Sequence, residues 1–223
     1  MSARTEIFDV IRAGNLDRLR EILATDRAAA GARNERGHSA VLIAQYHHQR
    51  DMVALLLAAE PELDVFDAAS VGRVDRVTRL IDTDPALVEE WSSDGFTPLH
   101  LAAFFGFPDV VRLLLARRAG VNSVARNPMK VQPLHSAAAG RHGEVARLLV
   151  EAGGDVNARQ EGGWTPLHAA AQNGDLEMAR LFLAGGADPV AQNDEGKSAI
   201  GIAAERNHVE MLKALKARPA PSP

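Results

Sequence analysis

An all-α solenoid of about seven helix-turn-helix units, joined by short hairpin-like turns, is predicted from three observations on the 223-residue chain. A phrase built on Pro-Leu-His recurs in phase, apolar residues between the copies repeat at i, i+3 and i+4, and Gly, Asp and Asn gather at the joins. The segments TPLHLAAFFG (97–106), QPLHSAAAGR (132–141), TPLHAAAQNG (165–174) and SAIGIAAERN (198–207) begin 35, 33 and 33 residues apart. Weaker copies begin at Thr5, Ser39 and Leu63, at intervals of 34, 24 and 34 leading to Thr97. A period in this range marks stacked units, none of which can bury its apolar face alone.

Each part of the unit has a physical reason. The hydroxyl of Thr97 or Thr165 can accept from an unpaired backbone N–H and so start a helix. The proline that follows has its φ preset and lacks only an N–H that had no partner there. In L-x-A-A, a large residue followed by small ones lets a second antiparallel helix approach closely. A turn comes next (106–109, 174–177). The second helix, as in VVRLLLARR or MARLFLAGG, stops at Gly or Ala-Gly. Between units, GGDVNARQEGGW and GADPVAQNDEGK carry the residues of a tight two-armed turn.

These residues resemble the ankyrin repeat family, of the bacterial type, whose unit is about 33 residues with a T-P-L-H-x-A signature. The resemblance runs from residue 5 to about 217. It implies a single ankyrin-repeat domain over 1–218 with a disordered tail at 219–223, and short β-hairpin-like fingers between repeats. It also implies protein binding through the finger tips and the exposed side of the first helices, with no enzymatic activity, no cofactor and no metal.

Two departures from the period stand out. Residues 5–58 align without a gap on 63–116, with 16 of 54 pairs identical, as if a two-repeat block had been duplicated. At the join the interval of 24 leaves no room for a finger, so helix is expected to pass to helix through Glu60-Pro61-Glu62. The second departure is NSVARNPMKVQ, two residues longer than its counterpart, with Gln132 for the capping Thr. Lys130 stands where other copies place Gly37, Gly95, Gly163 or Gly196, so this loop is expected to turn differently.

Candidate partner-binding residues follow from the register. At the finger tips they are Phe96, Pro128, Met129, Lys130, Val131 and Trp164; on the first helices they are Tyr46, His47, Phe104, Phe105, Gln172 and Asn173. Four of the chain's ten aromatic residues, Phe96, Phe104, Phe105 and Trp164, fall at predicted finger or groove positions of repeats 4 to 6, which suits an anchor cluster for an unknown protein partner. The competing reading has Trp164 and Phe96 shielding neighbouring fingers and Phe105 packing beneath its neighbour.

His100, His135 and His168 occupy one position in successive repeats, about 8–10 Å apart by stacking. One zinc ion needs ligands at about 2.0–2.1 Å, so these histidines are read as finger braces. His142 and His208, at the inter-helix turns, are read as structural, and His47-His48 with His38 as a weak cluster. A second reading places a small-molecule or enzymatic site under the enlarged finger at 125–131, with Lys130 and His135 converging.

The formal net charge of −4 gives no sign of the basic face that a nucleic-acid or anionic-membrane partner would need, so nucleic acid is disfavoured. With no cysteine there is no disulfide or thiolate metal site, and the apolar runs are too short to span a bilayer. No apolar signal region opens the sequence, so a cytoplasmic monomer away from membranes is expected.

Overall fold

The computed structural model describes residues 3–217, and the tail expected at 219–223 lies outside them. The chain divides between Leu87 and Val88 into two compact units. The first contains α1 (Ala3–Arg12), α2 (Leu16–Thr25), α3 (Ala40–Tyr46), α4 (Arg50–Ala58), α5 (Val65–Ser70) and α6 (Val74–Thr83). The second contains α7 (Pro98–Phe105), α8 (Pro108–Ala116), α9 (Pro133–Gly140), α10 (Gly143–Glu151), α11 (Pro166–Asn173), α12 (Leu176–Ala184), α13 (Ala199–Glu205) and α14 (Val209–Lys216).

Each consecutive pair is one repeat. In the second unit α7, α9, α11 and α13 pack in one row and α8, α10, α12 and α14 in another. In the first unit α1, α3 and α5 form one row, while α2 packs on α4. Helices this short are marginal in isolation, so the rows hold them. Between the rows the alanine pairs Ala102/Ala103, Ala137/Ala138 and Ala170/Ala171 are fully buried beside Leu99, Leu134 and Leu167. The second helices meet them with Val111, Leu114, Leu149 and Phe182, also fully buried. Each large side chain of this set contributes about 1.5–3 kcal/mol by leaving water.

The inter-helix turn passes through the left-handed region. Gly106 (φ 79°) and Gly174 (φ 65°) take it without steric cost, whereas Arg141 (φ 61°) and Asn207 (φ 56°) do so with a side chain. These two glycines also make room. A Cβ on Gly106 would collide with the ring of His142, and one on Gly174 would lie 2.9 Å from the ring of His208. Both histidines belong to the following repeat and reach back, His142 to the Phe104 carbonyl at 2.9 Å and His208 to the Ala171 carbonyl at 3.0 Å.

Between α4 and α5 only residues 59–64 intervene. The helix begins at the cap Asp64, one position after the Leu63 from which that repeat was counted. Arg27 closes the end of α4, donating to the Ala59 and Ala58 carbonyls at 3.0 and 3.1 Å and pairing with Glu60 at 3.1 Å. Asp67 fixes the start of α5. Its carboxylate, 1% exposed, accepts from the Ser39 hydroxyl at 2.6 Å and from Arg33 at 2.7 Å. Burial, and then the neighbouring Asp64, push its pKa up, while Ser39 and Arg33 oppose that shift.

Candidate functional site

The fingers of the second unit close in one pattern. The Ser92 amide donates to the Phe96 carbonyl and the Gly95 amide returns to the Ser92 carbonyl, both at 2.9 Å. Gln160–Trp164 with Gly163, and Asn193–Lys197 with Gly196, repeat it at 2.9–3.0 Å. The returning residue is left-handed each time: Gly95 at φ 81°, Gly163 at 71° and Gly196 at 74°. In the enlarged finger Lys130 makes the same bond, to the Asn127 carbonyl at 3.2 Å, with φ 50°. The expectation of a different turn is therefore corrected, because the lysine adopts the conformation that glycine holds elsewhere. The extra length lies upstream, where Ala125 closes the loop by donating to the Val131 carbonyl at 2.7 Å. The Asn127 side chain steadies the tip, accepting from the Met129 amide at 3.1 Å.

Neighbouring fingers are stitched together. The Gly95 carbonyl accepts from Arg126 at 2.9 Å, that of Met129 from Glu161 at 3.0 Å, and that of Gly162 from Asp194 at 3.0 Å. A Cβ on Gly95 would stand 2.5 Å from the Arg126 carbonyl oxygen, so the close approach itself requires glycine. A second row runs through Asn122 and Asn157. Asn122 donates to the Gly153 carbonyl at 3.1 Å and accepts from the Asp155 amide at 2.9 Å. Asn157 does the same with Gly186 at 3.0 Å and Asp188 at 2.9 Å.

The three in-phase histidines are internal braces. The Thr97 amide and hydroxyl meet the His100 Nδ1 at 3.3 and 2.8 Å, and Thr165 meets the His168 Nδ1 at 3.1 and 2.7 Å. A backbone N–H can only donate, so Nδ1 carries its lone pair and the ring is neutral with hydrogen on Nε2. From there His100 donates to the Val131 carbonyl at 3.1 Å and His168 to that of Lys197 at 3.0 Å. His135 reaches the Ala158 and Trp164 carbonyls at 3.0 and 3.2 Å. Burial pushes all three pKa values down, that of His100 to about 4. Among the described residues no group of three or more His, Cys, Asp or Glu is placed to hold a metal ion.

A depression of about 420 Å³ lies where the finger at 160–164 meets α9 and α11, lined by Ala139, Gln160, Glu161, Trp164, Gln172 and Asn173 among others. The structure thus brings together Trp164, Gln172 and Asn173 of the expected set. Asn173 also donates to the Ala138 carbonyl at 3.3 Å. Met129 is 51% exposed at the neighbouring tip, beside exposed Pro128 and Lys130. Val131, expected at that tip as a contact, is only 9% exposed; it faces inward while its carbonyl receives His100.

Phe96 and Trp164 are half-buried with their rings 5.8 and 5.7 Å from those of His100 and His168, so each packs on its own repeat and keeps one edge outward. Phe104 and Phe105 stack edge to face at 5.0 Å and are half-buried. The convergence expected of Lys130 and His135 does not occur. Both His135 nitrogens are bonded within the fold, and the Lys130 ammonium pairs in solvent with Glu161 at 3.2 Å. Tyr46 and His47 belong to the first unit, where the Tyr46 ring lies 6.4 Å from that of His38.

Some contributors escaped the reading of the sequence. Arg126 covers the Trp91 ring at 4.5 Å, and Asn122, Asn157 and Asn127 hold the fingers. The asparagines had a signal in the phrase Val-Asn, which recurs at 121–122 and 156–157, and Arg126 had one in Ala-Arg, which recurs six residues before the cap at 32–33, 125–126 and 158–159, whereas Trp91 takes the arginine's place in its own copy.

Paired helices in two rows, linked by hydrogen-bonded fingers, define a helical repeat protein. The family model described as ankyrin repeats (3 copies) matches residues 65–160 and 134–220, and the chain belongs to that family. Similar proteins include the ankyrin repeat and SAM domain-containing protein 6 of Rattus norvegicus, 39% identical over 108 residues, which are 46% of this chain and 11% of that protein. The serine/threonine-protein kinase VIK of Arabidopsis thaliana is 40% identical over 78 residues, 35% of this chain and 17% of the kinase. The probable E3 ubiquitin-protein ligase XBOS31 of Oryza sativa subsp. japonica is 35% identical over 96 residues, 43% of this chain and 21% of the ligase. The matched regions thus span about a tenth to a fifth of these relatives' own lengths. Ankyrin repeats are in general protein-interaction modules rather than catalysts. No helix of the described residues is long and apolar enough to cross a membrane.

Proposed function

We propose that the chain is a protein-binding scaffold, not an enzyme, and that a partner chain lies across the fingers and first helices of repeats 4 to 6. The observation that carries this reading is the depression beside Trp164, flanked by the exposed Met129 of the enlarged finger. Trp and Met anchors over small floor residues such as Ala139 suit a hot spot, and the hydrogen-bonded fingers hold that surface in place before binding. Phe104 and Phe105 extend the apolar part of this face, while Lys130, Glu161 and Gln172 supply a polar rim that orients the partner. The chain acts as a cytoplasmic monomer in this reading.

The test compares proteins retained from a lysate of the source organism by the immobilised wild type and by a W164A/M129A variant. A photo-crosslinking residue at position 129 then maps the contact. Loss of the retained protein with unchanged helical circular dichroism is the expected result. Full retention by the double variant, together with no crosslink from position 129, removes repeats 4 to 6 as the binding face.

A further inference from the structure

The first unit carries a depression of about 650 Å³ beside α1 and the finger at residues 33–39. Four arginines, Arg4, Arg12, Arg33 and Arg36, are among its lining residues, against two acidic ones, Asp9 and Glu35. Arg12 is engaged by Asp9 at 2.8 Å, and Arg33 by Asp64 and Asp67 at 2.9 and 2.7 Å. Arg4 and Arg36 have no carboxylate partner among the described residues and are exposed. Arg4 stands in the first turn of α1, where the helix dipole disfavours a positive charge, so the fold itself gives no reason for a cation there. Phe8, buried, and Ile43, half-buried, add apolar atoms to a lining that is otherwise polar, with Thr5, Asn34 and His38.

We propose that this depression docks an acidic segment of a partner protein, one that lays an apolar side chain on Phe8 and Ile43 and sets carboxylates against Arg4 and Arg36. The guanidinium fork matches a carboxylate with two parallel hydrogen bonds, and the two arginines project from different elements, so a single extended segment engages both. The charge of the surrounding chain favours a peptide over a nucleic acid, because a molecule of formal net charge −4 repels a long polyanion more than a short acidic peptide, and the apolar edge of Ile43 gives such a peptide a side-chain contact that a phosphate backbone does not make. This site is separate from the reading given for repeats 4 to 6 and stands or falls independently of it.

The test is fluorescence polarisation of a short fluorescein-labelled peptide of glutamates with a central leucine, titrated with the full chain at low and at physiological salt. The wild type is expected to bind, less tightly as salt rises. R4E/R36E is expected to lose at least about tenfold in affinity. R4Q/R36Q should show a smaller loss, and W164A/M129A should bind like the wild type. A lysine-for-glutamate peptide should not bind. The proposal is overturned if the wild type does not bind the glutamate peptide or if R4E/R36E, folded by circular dichroism, binds it as the wild type does. Tighter binding of a thymidine oligonucleotide than of the peptide overturns it equally, by assigning the arginines to nucleic acid.

Discussion

His100 owes its neutrality to two facts, a backbone amide aimed at Nδ1 and a site from which water is excluded. Its pKa of about 4 lies below the ordinary value near 6.5, so between the two the unfolded chain binds a proton that the folded chain refuses. Stability from this group is complete above about pH 6.5 and falls as pH drops towards 4, by about 3 kcal/mol in all. His135 and His168 act in the same direction. Urea midpoints measured from pH 7 down to 4.5 should therefore fall steeply, and less so in His100→Gln, which lacks the titrating ring. Gln132 offers a gain instead, since its buried side-chain oxygen has no partner where Thr97 and Thr165 place a hydroxyl on Nδ1. Gln132→Thr is expected to stabilise by about 1 kcal/mol, seen as a higher melting temperature. Lys130→Gly should add about 0.5–1 kcal/mol by removing a side chain from the left-handed region; a lower melting temperature would show that the Glu161 pair outweighs that strain. The brace histidines were legible in the sequence because they recur in phase. The inward turn of Val131 was not, because nothing in QPLH announces that the finger closes two residues upstream, at Ala125.

Among elements, the missing finger was legible as an interval of 24, since the period leaves no residues to build it. What replaces it was not. Arg27, far back in the sequence, caps α4, and Asp67 ties α5 to Ser39 and Arg33; such partners share no local pattern with the segment they hold. The amides of Glu62, Leu63 and Asp64 donate to no group among the described residues, whereas those of Arg126, Glu161 and Asp194 are engaged by the preceding finger. Hydrogen exchange should accordingly be fast at 62–64 and protected at 126, 161 and 194. Equal protection at both sets of amides would show that the fingerless join is no looser than the others. Arg27→Ala leaves two helix-end carbonyls to water and should cost about 1 kcal/mol, with faster exchange over the last turn of α4.

For the whole molecule, stability in a solenoid is a sum over repeats and their neighbours, and the two units are unequally supplied. The second carries two rows of finger and loop hydrogen bonds and three histidine braces; the first contains the fingerless join and the six-residue α5. Amides of residues 3–87 should thus exchange through an opening of lower free energy than those of 88–217, measurable by native-state exchange in mild denaturant. The pairing of Gly106 with His142, and of Gly174 with His208, bears on descent as well as stability. A repeat bearing a turn histidine fits only behind one whose own turn is glycine; after Arg141 comes Asp175 instead, whose carboxylate caps α12. Copies of this repeat are therefore not interchangeable beads. His142 stands 36 residues after Gly106 and His208 34 after Gly174, in each case one more than the interval between the repeats concerned, so a crossover anywhere between the members of a pair parts them, and what must be inherited together is a stretch longer than one visible repeat.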